Sequence, residues 1–227
     1  MLKYKNIIII GTSHIAKSSL KEIESVFFKQ DPEIVAVELD KSRLHALLEN
    51  KKPDYSLALI PQIGLQGYLF AVIGAFLQKK LGNIVGITPG SDMLKAVTLA
   101  RDNQKRIALI DRDIRITLSR LSKAIKWKEK INFLIDIFRA PFSEKMKIDL
   151  KKVPEKEIIT KALGLLKKRY PGIYAALVDE RNKIMALKIN ALMENYPDKK
   201  ILVVVGAGHE EDLLDLVKKG LSQKKAI

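Results

Sequence analysis

The chain has 227 residues, 47% of them hydrophobic, which is enough for one domain with a substantial core. It contains no cysteine, which excludes disulfides, thiolate zinc sites and a cysteine nucleophile, so any metal must be held by His, Asp, Glu or backbone oxygen. A net charge of +15 with a pI near 9.8 suits an anionic partner such as a phosphate or an anionic membrane surface, but the basic residues lie in short scattered clusters and aromatics make up only 6%, so a stacking platform for nucleic acid is unsupported and a solvated surface of thermophile-like composition is the default.

The first element expected is a strand over Asn6–Ile10, because its apolar run is too short for a signal peptide before Gly11 interrupts it. Gly11-Thr12-Ser13-His14 follows, and then a helix whose expected opening, Ser19-Leu20-Lys21-Glu22, matches a capping box. A second strand is expected over Glu33–Leu39, with Glu38 closing the apolar run Ile34-Val35-Ala36-Val37. A carboxylate at the rim of a buried strand calls for a partner, either a metal or a plain ion pair such as Arg43. Asp40 reads as the N-cap of the next helix, and His45 as a surface or packing residue on it.

The stretch Leu57 to Leu77 is apolar but broken by Pro61, Gln62, Gly64, Gln66, Gly67 and Gly74, which predicts a buried helix rather than a membrane span. Strands are expected at Asn83–Ile87 and Arg106–Ile110. Just after the latter, Arg112 sits between Asp111 and Asp113. Its planar fork could clamp a carboxylate or steady an oxyanion; equally, Asp113 could cap the next helix and pair with Arg112. Residues 114–170 carry helical periodicity and no clear strand, with Pro141 and Pro154 as breaks, so they are expected to form a helical insertion or cap.

After Pro171-Gly172, apolar residues at Ile173, Leu177, Ile184, Leu187 and Ala191 define a helical stripe with Glu180 on its missing step. A carboxylate aimed inward there needs a cation, a metal or a histidine, and the adjacent Arg181 points about 100° away on a helix, which makes direct pairing awkward. The last strand expected, Ile201–Val205, runs into Gly206-Ala207-Gly208-His209 and a helix whose first turn, Glu210-Glu211-Asp212, favours the positive helix end. The fold class that follows is α/β, one domain over residues 1–227, with a largely parallel central sheet flanked by helices and the helical insertion at 114–170.

In open parallel sheets, ligands bind at the carboxyl ends of the strands. His14 and His209, two of the three histidines, occupy equivalent turns after the first and last expected strands. A lone histidine there more often packs or caps, but the pairing favours a shared polar pocket, since imidazole is both a common metal ligand and a base near neutral pH. Phosphate-loop, dinucleotide, His-Glu-x-x-His and Gly-x-Ser-x-Gly signatures are all absent from the sequence.

Gly11-Thr12-Ser13-His14, Val37-Glu38-Leu39-Asp40 with Arg43, Pro89-Gly90-Ser91-Asp92-Met93, Asp111-Arg112-Asp113 followed by Thr117-Leu118-Ser119-Arg120, Glu180-Arg181-Asn182, and Val205-Gly206-Ala207-Gly208-His209 together resemble the TraB/PrgY family, in the family's order over roughly residues 7 to 212. The resemblance implies kinship with Tiki proteases, GumN-like proteins and, more distantly, erythromycin esterases and ChaN-like proteins. It implies a metal-dependent, peptidase-like hydrolase in which His14, His209 and Glu38 hold a divalent ion (manganese, cobalt or zinc) or move protons, with Glu180, Arg112 and Arg181 completing the catalytic set. It also leaves room for a metal-independent, histidine-assisted esterase-like hydrolase, and for a domain that binds and sequesters a peptide, since TraB and PrgY are linked to shutting off peptide pheromones. The expected partner is thus a peptide or other small substrate. Many relatives carry membrane segments after this region whereas this sequence ends at Ile227, so the expected location is cytoplasmic, membrane-peripheral or as the soluble part of a membrane protein.

Overall fold

The computed structural model describes residues 1–12, 17–49, 56–69, 71–72, 90–139 and 155–220. Five strands among them, β1 (Leu2–Tyr4), β2 (Ile7–Thr12), β3 (Ile34–Val37), β4 (Arg106–Leu109) and β5 (Ile201–Gly206), form one sheet in the order β1-β2-β5-β3-β4. Every pairing is parallel except β1 with β2, which closes over Lys5 and Asn6 with Lys5 at φ 47°. The runs of Ile and Val in β2, β3 and β5 are buried along their full length, as strands covered on both faces must be. β4 lies at the edge, and its Arg106 and Ile107 are exposed.

The helices are α1 (Lys17–Gln30), α2 (Lys41–Leu48), α3 (helical over 60–69), α4 (Ser91–Asp102), α5 (Ile114–Ala124), α6 (Trp127–Arg139), α7 (Glu155–Arg169), α8 (Pro171–Tyr174), α9 (Glu180–Asn195) and α10 (Glu210–Lys218). Alternate strand residues feed two separate cores. Ile7, Ile9, Ile34, Ala36, Ile201, Val203 and Val205 meet α9 and α10 on one face. Ile8, Ile10, Val35, Val37, Leu202 and Val204 meet α1 and α4 on the other. Each fully buried isoleucine or valine contributes about 1.5–3 kcal/mol by its removal from water, so the sheet end of each face is rigidly fixed. A third, smaller core joins α5 (Leu121) and Ile125 to Ile173 and Ala176.

The expected α/β architecture is present, and the described part of residues 114–170 contains helices and no strand. The strand expected at Asn83–Ile87 lies outside the described residues, as do Pro141 and Pro154. Three details differ from expectation. β1 has only three residues, below the length at which a period shows. Ser19 and Glu22 do not open α1: Lys17 is already helical, and Ser19 is buried inside the first turns. The described part of the stretch expected as a buried helix, residues 57–69 and 71–72, is one-sided, with Ile63 inside and Leu57, Leu65 and Leu69 exposed. Gly64 and Gly67 explain the close seat of α3. A Cβ on either would come within 2.5 Å of Ser122 Oγ or 2.6 Å of the Leu118 carbonyl oxygen.

Between α8 and α9 the chain makes a π-helical turn, Ala175–Asp179. One wide turn slips the helical register by about one residue, or roughly 100°. Beyond it, the buried side chains of α9 are Asn182, Met185, Ala186, Ile189, Asn190 and Met193, a different face from the stripe that unbroken periodicity predicts. Ile184 and Leu187 are only half-buried.

Candidate functional site

β2 and β5 are neighbours in register, with Gly11 opposite Val205 and Thr12 opposite Gly206, so the two strands end side by side on one rim. Gly11 has a steric reason: a Cβ there would lie 2.6 Å from Glu210 Oε2 at the start of α10. Thr12 Oγ1 is buried and hydrogen-bonded to the Asp92 carboxylate in the first turn of α4. His14 lies outside the described residues.

His209, Glu38, Arg181 and Asp111 meet on the carboxyl rim of the sheet. Glu38 follows β3 directly, and its Oε2 accepts the Gly206 backbone N–H at 2.7 Å, tying the ends of β3 and β5 together. Its Oε1 accepts from Arg181 Nη2 and stands 3.4 Å from His209 Nε2. Asp111, just past β4, accepts from Arg181 Nη2 at 2.7 Å and Nε at 3.1 Å, and also from Arg43 Nη2. Arg181 Nη1 donates to the Leu177 carbonyl oxygen at 3.1 Å and lies 3.2 Å from His209 Nε2. All five guanidinium N–H groups are thereby used, the condition under which a buried charge is tolerated. Burial works against the Arg181 charge, but Glu38 and Asp111 outweigh it and raise its pKa above the usual arginine value.

This geometry selects the tautomer of His209. Arg181 can only donate, so neutral Nε2 must be the acceptor and Nδ1 must carry the proton. Nδ1 stands 2.6 Å from Asn182 Oδ1, which accepts it. Asn182 is 1% exposed and its Nδ2 has no hydrogen-bond partner among the described residues, so its amide is committed to the imidazole.

Glu180 does not join this inner group. It is half-buried at the rim, where Arg112 Nη1 reaches Oε2 at 2.9 Å and Arg120 Nη2 reaches Oε1 at 2.9 Å. The expectation that it faces a cation holds; the expectation that it lies on the buried stripe does not, since after the π turn Asn182 is buried instead. The Arg120 hydrogen bond, reinforced by Arg112 against the opposing effect of burial, keeps the Glu180 carboxyl below the ordinary glutamate range. Arg112 also donates to the Ala176 carbonyl oxygen at 3.0 Å and to Thr117 Oγ1 at 2.9 Å, so the π-turn carbonyls of Ala176 and Leu177 each receive an arginine.

The remaining neighbours resolve the alternatives left by the sequence. Asp40 caps α2 through the Ser42 and Arg43 N–H groups, and Arg43 pairs with Asp40 and Asp111 rather than Glu38. Asp113 caps α5 and pairs with Arg115, not Arg112. His45 is exposed beside Glu49. Lys188 Nζ donates to the Asp111 carbonyl oxygen at 2.5 Å, and burial holds its pKa below the ordinary lysine value. Four carboxylates (Glu38, Asp40, Asp111, Glu180) thus face five cations (Arg43, Arg112, Arg120, Arg181, Lys188). Sequence reasoning gave no role to Asp111 or Asn182. A polar residue on the shifted stripe is the signal for Asn182, legible only once the π turn is known.

Of the three residues expected to hold a metal, Glu38 and His209 come together, and Asp111 joins them. Their oxygen and nitrogen atoms, however, are already bound by Arg181, whose guanidinium stands where a cation shared by these groups would sit. Among the described residues there is no group of three or more His, Asp or Glu side chains arranged to hold a metal ion. With Arg181 in place, the described donors do not fit a divalent ion.

The model of the TraB/PrgY/gumN family matches residues 3–219. An uncharacterized protein of Methanocaldococcus jannaschii, MJ1365, is 37% identical over 221 residues, covering 94% of this chain and 54% of the relative. A TraB domain-containing protein of Bos taurus is 24% identical over 191 residues, covering 77% of this chain and 49% of the relative. The chain therefore spans about half the length of these curated relatives. It belongs to the TraB/PrgY/gumN family.

Proposed function

We propose that this member of the TraB/PrgY/gumN family is a hydrolase of a peptide or another small ester- or amide-bearing substrate, with His209 as its proton acceptor. The observation that carries the reading is the buried relay Asn182–His209–Glu38 beside Arg181. Asn182 fixes the imidazole with its Nδ1–H engaged, so Nε2 is the basic nitrogen. When Nε2 takes a proton from water, the positive charge forms 3.4 Å from the Glu38 carboxylate, which stabilises it.

In the resting arrangement Arg181 Nη1 occupies the Nε2 lone pair. A carboxylate or developing oxyanion of the substrate is a better acceptor for that N–H than an imidazole nitrogen, so its arrival would draw Nη1 away and free Nε2. The guanidinium would then face the oxygen on which negative charge develops, the role of preorganised donors in acyl transfer.

Metal-dependent hydrolysis is the second reading, favoured by the 3.4 Å approach of Glu38 to His209. It requires Arg181 to withdraw from both. Peptide-library and chromogenic-ester turnover separates the readings when wild type, His209→Ala and Glu38→Gln are compared with and without a chelator. The expected result is turnover that survives chelation and falls by on the order of 100-fold or more in His209→Ala, the usual scale of a lost general base. Equal turnover by all three proteins would overturn the assignment of His209. Activity abolished by the chelator and restored by a divalent ion would transfer it to the metal reading, and calorimetric peptide binding without turnover would select sequestration.

A further inference from the structure

The exposed apolar side chains are concentrated in α3 and the helical insertion. On α6, Trp127, Ile131 and Ile135 recur at four-residue spacing, which aligns them on one face. They are 77%, 51% and 37% exposed. Leu165 of α7 is 69% exposed, and Leu65, Leu69 and Val72 form a second exposed row. Exposed large side chains arranged in a row are uncommon on a surface that meets only water.

Beside the α6 stripe lies a cavity of about 710 Å³ lined by Lys126, Lys128, Asn132, Leu165, Lys168 and Arg169, among others. Lys128 and Asn132 each sit one residue past Trp127 and Ile131, so the cavity mouth runs alongside the stripe. Arg169 is held by Asp136. Lys126, Lys128 and Lys168 have no ion-pair partner among the described residues. Glu129 also lines the cavity, but its buried carboxylate is taken up by the backbone N–H groups of Gly172 and Lys126.

We propose that this face of the insertion docks on an anionic lipid bilayer, with the three lysines at the level of the lipid phosphates and Trp127, Ile131 and Ile135 at the headgroup–acyl boundary. An apolar stripe flanked by unpaired lysines, with tryptophan at the boundary, matches that interface in both charge and polarity. A second copy of the chain fits poorly, because a self-complementary contact would bring the same lysines against each other. Nucleic acid would leave the aliphatic stripe unused. Among the described residues no helix is long and apolar enough to cross a membrane.

Trp127 is the single tryptophan, so its fluorescence reports docking directly. The experiment adds the whole chain to neutral phosphatidylcholine vesicles and to vesicles with one-third phosphatidylglycerol, at low and high salt, with inorganic phosphate alone as a further arm. A blue shift and co-sedimentation are expected with anionic vesicles at low salt only. At roughly one kcal/mol, or about fivefold, per lysine near an anionic surface, Lys126→Ala/Lys128→Ala/Lys168→Ala weakens partition by on the order of 100-fold. Ile131→Ser/Ile135→Ser also weakens it while keeping the reporter. The proposal is overturned by no shift on anionic vesicles, by a triple variant that partitions like wild type, by the full shift with inorganic phosphate alone, or by a lipid-free blue shift that grows with protein concentration.

Discussion

Replacing Arg181 by alanine removes one guanidinium from between two carboxylates that are almost inaccessible to water, Glu38 at 5% and Asp111 at 1% side-chain exposure. Breaking a buried ion pair by deleting one partner costs about 3–5 kcal/mol, because the surviving charge stays buried. Two acids lose the same cation here, although Asp111 keeps Arg43, so the upper part of that range applies, about 4–5 kcal/mol. For a chain of this length that corresponds to a fall in Tm of roughly 8–20 °C. Urea unfolding followed by far-UV circular dichroism reads the change directly, with an unchanged m-value as the sign that only stability has moved. Glu38→Gln neutralises one stranded charge, so in the Arg181→Ala background it should be stabilising or neutral, whereas in wild type it destabilises. A cost below about 1 kcal/mol for Arg181→Ala, the level of an exposed pair, would refute the reasoning. So would a Glu38→Gln effect of the same size and sign in both backgrounds.

Glu180 links the rim to pH. Its pKa is depressed in the folded chain, chiefly by the Arg120 hydrogen bond, so the stability it contributes is fully present above the unfolded value of about 4.3 and is lost as pH falls through the folded value. Thermal melts between neutral pH and pH ~3 should therefore show a steeper acid loss in wild type than in Glu180→Gln; parallel curves would remove the Arg112–Glu180–Arg120 cluster from the account. At alkaline pH, long-range ¹H–¹⁵N correlations of the histidine rings should show His209 with its proton on Nδ1, and Asn182→Leu should weaken that preference without reversing it, since Arg181 still donates to Nε2. A predominantly Nε2–H ring in wild type would contradict the assigned hydrogen bond.

Most of the sheet was legible because its determinants are local. Short unbroken runs rich in β-branched Ile and Val favour strands covered on both faces, and Asp40 and Asp113 announce helix starts through side-chain oxygens that reach N–H groups two or three residues away. The glycine turns after the first and last of the expected strands placed one edge of the site in advance, since chain order in an α/β fold puts such turns on the carboxyl rim. Glu38 was recognisable as a carboxylate in need of a partner.

The identity of that partner was not recognisable, for a physical reason. Arg43 is five residues away in sequence and Arg181 is 143, and only the tertiary fold decides which guanidinium arrives. The π turn at Ala175–Asp179 changes the helical register just before α9, where Asn182 rather than Glu180 is buried and Arg181 beside it reaches Glu38. A strict 3.6-residue period has no means of showing such a slip. The sequence by itself determined the layers, the rim and the polar residues gathered there. Tertiary packing decided that an arginine, five donors satisfied, stands between Glu38, Asp111 and His209, because the fit of a buried charge depends on every neighbour at once.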